Sequence, residues 1–113
     1  MAPRKRRLGR VWQGSTTFTN AHAYHEHLRK ETLPGLQGIE GFEQALVLRR
    51  VAAEDEVEFL VLTLWASQDA IHAYAGEDAE RAVIPRVAVQ VLKEWDERAR
   101  HFEVALNVHG ACG

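Results

Sequence analysis

A chain of 113 residues, 46% hydrophobic and 27% charged, holds apolar material for one core, which excludes a multidomain protein and the disordered and fibrous classes. No apolar run approaches the roughly 20 residues that a bilayer crossing needs, and the basic start is not followed by a signal-peptide apolar stretch, so a cytoplasmic location away from membranes is expected. The net charge of −2 hides an asymmetry: of 14 basic residues, Arg4, Lys5, Arg6 and Arg7 lie in one run, leaving 10 against 16 acidic residues in an acidic body. Residues 1–8 are therefore read as a basic, disordered leader rather than a nucleic-acid contact, 9–108 as the domain and 109–113 as a tail. Cys112 is the single cysteine, so neither a disulfide framework nor a thiolate metal cluster is available.

Residues 9–18, rich in Val, Trp, Thr and Phe without helical period, predict a first strand, and Thr19-Asn20 supply oxygens for a helix N-cap. In the helix that follows, Ala21, Tyr24, His25, Leu28 and Thr32 recur at three- and four-residue steps and form the inward stripe, which Pro34-Gly35 ends. Residues 42–51 and 57–65 read as a hairpin across an acidic turn at 53–56. Residues 60–65 are almost continuously apolar, so both faces of that strand need cover. Ser67 is placed to cap a helix with Asp69 in its first turn and Ala70, Ile71 and Tyr74 inward, closed by Gly76. Around Pro85, the positions Ile84, Val87, Ala88, Val91, Leu92 and Trp95 follow helical spacing. Residues 100–108 alternate with a period of two and predict a fourth strand.

This order is the α+β, ferredoxin-like βαββαβ arrangement, with an antiparallel four-stranded sheet and its helices on one face. The helices of one chain cannot cover both sides of such a sheet. The remaining apolar strand positions predict a homodimer packed sheet against sheet.

Chemistry-bearing residues are few. His25, on the inward stripe, and His101, among apolar neighbours in the last strand, are the candidate bases, because imidazole exchanges protons near neutral pH. Trp12, Trp65 and Tyr74 are the candidate substrate-binding aromatics, with Trp95 read as core. His22, His25 and Glu26 stand close on one helix, but no second cluster supports them and no metal is expected. No phosphate-cradling Gly loop and no nucleophile elbow is present, so no nucleotide cofactor or covalent nucleophile is expected.

Arg10-Val11-Trp12, Leu33-Pro34-Gly35, Gly38-Ile39-Glu40-Gly41-Phe42, Leu62-Thr63-Leu64-Trp65-Ala66-Ser67 and His101-Phe102-Glu103-Val104 together resemble antibiotic-biosynthesis-monooxygenase-like domains over about residues 9–108. The resemblance implies a dimeric α/β barrel, a pocket in each subunit between sheet and helices, and a monooxygenase needing neither metal nor flavin. Members oxidising anthrone-type polyketides resemble the chain at Trp65 but carry Asn and Tyr where it has Val61 and Ile71. Haem-degrading members carry Asn, Trp and an iron-binding His where the chain has Trp12 or Gln13, Tyr74 and Ile84. The expected function is a cofactor-independent monooxygenase acting on an aromatic or polyketide-like small molecule. The alternatives are a non-catalytic dimeric module that binds a small aromatic or apolar ligand or serves a stress response, and, third, a haem-degrading oxygenase.

Overall fold

A computed structural model describes residues 6–111. The expectations for residues 1–5 of the leader and for Cys112 lie outside the described residues.

The first strand, β1 (Leu8–Thr16), begins inside the stretch read as leader. It passes directly into α1 (Phe18–His27), whose cap is Thr17 and not the Thr19-Asn20 pair: the Thr17 Oγ1 accepts from the Asn20 backbone N–H at 3.2 Å. Pro34-Gly35 do not end the helical run. A π-helical turn (Leu28–Thr32) follows α1, and the Leu33 N–H bonds back five residues to Leu28 O. The helix then restarts as α2 (Leu33–Gln37), with Pro34 in its opening turn, where a missing N–H costs nothing.

The hairpin is β2 (Phe42–Ala53) and β3 (Glu56–Trp65), turned by Glu54-Asp55, with Asp55 at a φ of 52°. Asp55 Oδ1 also accepts from the Phe18 N–H at 3.0 Å, tying the turn to the start of α1. Next comes α3 (Gln68–Ala75), capped as expected by Ser67, whose Oγ accepts from the Ala70 N–H at 3.2 Å.

Two expectations for the last third of the chain are corrected. The helix after Pro85, α4, covers only Arg86–Val91. Leu92 is extended, and Trp95 belongs to a short strand, β4 (Glu94–Trp95), paired with Gly14 and Ser15 of β1. A free sheet edge took residues whose spacing also fitted a helix. The last strand, β5, is Arg100–Glu103 and stops well short of residue 108. Its register runs toward the beginning of β1, where Glu103 faces Leu8 and the Val104 N–H reaches Arg7 O at 3.0 Å. Among the described residues pairing ends there, and Leu106 and Val108 are 89% exposed.

The sheet order is β2-β3-β1, with β4 and β5 sharing the far edge of β1, all antiparallel. This is the ferredoxin-like arrangement with one small strand added. Alternation sends Arg10, Trp12, Val57, Phe59, Val61, Thr63 and Trp65 toward the helices, and Val11, Leu60, Leu62 and Leu64 to the other face.

On the helical side the core forms two clusters. One joins Tyr24 and Leu28 to Phe59, Val57, Ala88 and Leu92; the other joins Trp65 to Leu36, Ala70, Ile71 and Ala79. On the far side Leu46, Leu48 and Phe102 stand exposed. Among the described residues, no helix is long and apolar enough to cross a membrane.

Candidate functional site

Where the two core clusters meet, the helices stand off the sheet and leave a partly open cavity of about 60 Å³. Its floor is Arg10 and Trp12 of β1 with Val61 and Thr63 of β3. Its walls come from Tyr24, His27 and Leu36 on the helical run, Tyr74 of α3, and residues 82–85 ahead of α4.

Each polar side chain is placed by a local rule. Arg10 and Trp12 lie two apart in one strand, so both face the helices. Trp12 donates from Nε1 to Asp96 O at 2.8 Å, and its ring lies over Gly14, where a Cβ would come within 2.6 Å of it. The glycine makes room for the indole. Tyr74 stacks on Trp65 at a centroid distance of 5.3 Å, and the Arg10 guanidinium lies 5.7 Å from the centre of the Tyr74 ring. Burial raises the pKa of Tyr74, with Arg10 pulling it back, and burial likewise raises that of Tyr24. Both phenols are neutral donors at physiological pH.

Arg10 is 6% exposed and is held by three hydrogen bonds. Its Nη1 donates to Ala79 O and to His101 Nε2 (2.7 Å), and its Nη2 donates to Arg81 O at 2.9 Å. Since an arginine can only donate, His101 accepts at Nε2 and carries its own proton on Nδ1. Burial lowers the His101 pKa, and the neighbouring Arg10 lowers it further, opposed by Glu80. Burial also lowers the pKa of Arg10 from its high ordinary value.

The residues singled out from the sequence are not all gathered at the cavity. Trp12 and Tyr74 line it. His101 touches it only through Arg10. Trp65 is fully buried behind Tyr74, its Nε1 donating to Thr63 Oγ1 at 2.8 Å. The His25 side chain is 44% exposed, lies 3.9 Å from Glu26, and is not part of the lining.

Two lining residues carry chemistry that the sequence reading did not single out. His27 faces the cavity, and its Nε2 is buried with no hydrogen-bond partner among the described residues. Arg10 is the other. Among the described residues, no group of three His, Cys, Asp or Glu side chains could hold a metal ion. Ile84, where the resemblance led to the expectation of an iron-binding His in haem-degrading members, lines the cavity with an aliphatic side chain that cannot ligate iron.

The sequence matches the antibiotic biosynthesis monooxygenase family over residues 12–86. The chain belongs to this family. Solved structures show the same fold at low sequence identity. An antibiotic biosynthesis monooxygenase-type protein from Bacillus cereus is 14% identical, with a TM-score of 0.67 over 95% of this chain and 99% of that one. A heme-degrading protein from Mycobacterium tuberculosis is 22% identical, with a TM-score of 0.62 over 94% and 99%. SnoaB, a cofactor-independent oxygenase from Streptomyces nogalater, is 13% identical, with a TM-score of 0.57 over 92% and 96%. No curated protein matches the chain in sequence. In this antibiotic biosynthesis monooxygenase domain, the cavity between sheet and helices is thus built from a strand-one arginine, a helix-one histidine and a ring of aromatics.

Proposed function

We propose that the cavity is the active site of a cofactor-independent monooxygenase that oxidises a small aromatic or polyketide-like molecule. The observation that carries this reading is His27 Nε2, a buried imidazole nitrogen with no partner among the described residues, in an aromatic-walled cavity on this family's fold. Such a nitrogen is free to take a proton from a ring hydroxyl or an activated CH₂. The resulting carbanion passes one electron to dioxygen, the radical pair joins as a peroxide, and loss of water leaves a C=O. Overall, CH₂ and O₂ give C=O and H₂O, with the substrate supplying the electrons and His27 returning the proton to the departing oxygen. Trp12 and Tyr74 hold the ring and keep water out. His25, outside the lining, is assigned no step; His101 serves through Arg10, and Trp65 by backing Tyr74.

The enzyme is further proposed to be a cytoplasmic homodimer. The exposed leucines on the far face of the sheet support the pairing, and the single cysteine supports the compartment.

Oxygen consumption with a panel of hydroxylated naphthalenes and anthrones tests the activity. Replacing His27 by Gln is expected to lower kcat by about 10²-fold while the circular dichroism spectrum stays unchanged. The competing reading, a non-catalytic binder, draws on Val61 and Ile71, apolar where anthrone-oxidising members are polar. It wins if the wild-type protein binds a panel member but consumes no oxygen with any.

A further inference from the structure

Among the residues lining the cavity, Arg10 alone carries a permanent charge. Its bonded partners are two backbone carbonyls and a neutral imidazole, and among the described residues no carboxylate lies within ion-pair distance of it. Glu80, which it feels electrostatically, is turned outward to Arg98 at 3.6 Å and is half exposed. A buried charge is costly unless it is paired. A structural clamp on the Ala79 and Arg81 carbonyls needs only donors, so the positive charge is surplus to that task.

The hydrogen bonds also leave a particular part of the guanidinium unused. Both Nη1 hydrogens and one Nη2 hydrogen are committed, which leaves the Nε–H and one Nη2–H without an acceptor among the described residues. Nε and Nη2 share one edge of the planar group, the fork that matches the two oxygens of a carboxylate. We propose that Arg10 is the substrate-anchoring residue of the cavity and that the molecule it takes is a small aromatic acid, its carboxylate held by Nε and Nη2 and its ring against Tyr74. This rests on the cavity being the substrate site, as proposed above. It adds the substrate's charge and the end by which it is held. His101, accepting from Nη1, positions the guanidinium for that contact.

Quenching of tryptophan fluorescence on titration with salicylate and with salicylamide, at neutral pH, compares a carboxylate with its neutral isostere. Wild-type protein is expected to bind salicylate about tenfold or more tighter. In Arg10→Met the preference is expected to shrink to about twofold or less. Arg10 also ties down residues 79–81, so Arg10→Lys serves as the second variant. It keeps the charge but not the fork, and is expected to retain only part of the preference. Equal affinities in the wild type, or an undiminished preference in either variant, overturn the proposal. Oxygen uptake separates the two readings. A preference for the acid without oxygen consumption sinks the monooxygenase and leaves the anchor; oxygen consumption without a preference sinks the anchor alone.

Discussion

His101 accepts a hydrogen bond from a guanidinium at 2.7 Å, an arrangement open only to the neutral imidazole. Burial and Arg10 lower its folded-state pKa below the ordinary 6.5. The sign follows from proton counting. As pH falls past 6.5 the unfolded chain binds a proton at this residue before the folded chain does, so stability drops until folded His101 is also protonated. Above the imidazole range the group contributes no pH dependence. Carboxylates act in a lower window: Glu26, brought to about 2 by its hydrogen bond from Arg29, and Asp78, lowered by Arg98, lose their stabilisation only as pH falls below the ordinary carboxylate range. Urea unfolding from neutral to mildly acid pH should therefore show a decline in the wild type that His101→Gln, which can accept from Arg10 without titrating, lacks. Parallel curves for the two proteins would contradict the pairing. A second residue-scale case is Gly41, at a φ of 91° with its would-be Cβ 2.4 Å from that of Ala70. Gly41→Ala combines backbone strain with overpacking against α3 and is expected to cost about 2–4 kcal/mol in the same assay. A loss below about 0.5 kcal/mol would mean that the loop moves freely off the helix.

The π-helical turn between α1 and α2 decides what the cavity wall presents. It begins at Leu28, directly after His27, and sets the phase of α2 so that Leu36 packs beside Trp65. Deleting the exposed Lys30 removes the extra residue and rotates α2 by about 100° relative to α1. Leu36 would leave its cluster, and the expected loss is at least that of a buried leucine truncation, about 2–5 kcal/mol by urea unfolding. Unchanged stability would show that α2 is placed by its own packing instead. The elements legible in the sequence were those fixed by neighbours in the chain: the hairpin, with its turn chemistry between two apolar runs, and α3, with Ser67 ahead of its apolar stripe. Those missed were decided at a distance. Trp95 fits a helical spacing and a strand edge equally well, and only the free edge of β1 selects the second. Residues 105–108 alternate like a strand but pair with none of the described residues. His25 and His27 flank the Ala21-Tyr24-Leu28 stripe on opposite sides, and one helix cannot reveal which flank faces a cavity. Arg10 was within reach, since it lies two residues from Trp12 and the period of a strand puts both on one face.

At the scale of the molecule, the sheet divides two tasks. The helical face holds the cavity, and the far face carries Leu46 and Leu48 of β2, opposite Leu62 and Leu60 of β3 in register, with Phe102 of β5 beyond β1. Leu48 is 54% exposed, as is Phe102. Polar groups bound this apolar area at one end, where Glu58 accepts from Arg50 at 3.1 Å and from Gln13 at 3.4 Å. An apolar centre with a polar margin is the anatomy of a protein interface. The symmetric closure of such a face is a two-fold pair. Light scattering of the wild-type protein at micromolar concentration should return twice the chain mass of 12.8 kDa. Leu48→Glu would place a carboxylate in the middle of that contact without a partner, costing several kcal/mol on association, and should return the chain mass itself. Because the substitution lies on the opposite side of the sheet from Arg10 and His27, the Leu48→Glu protein should still prefer salicylate over salicylamide. A wild-type protein that scatters as a single chain would show that the leucine face stays wet, and would remove the homodimer while leaving the cavity chemistry standing.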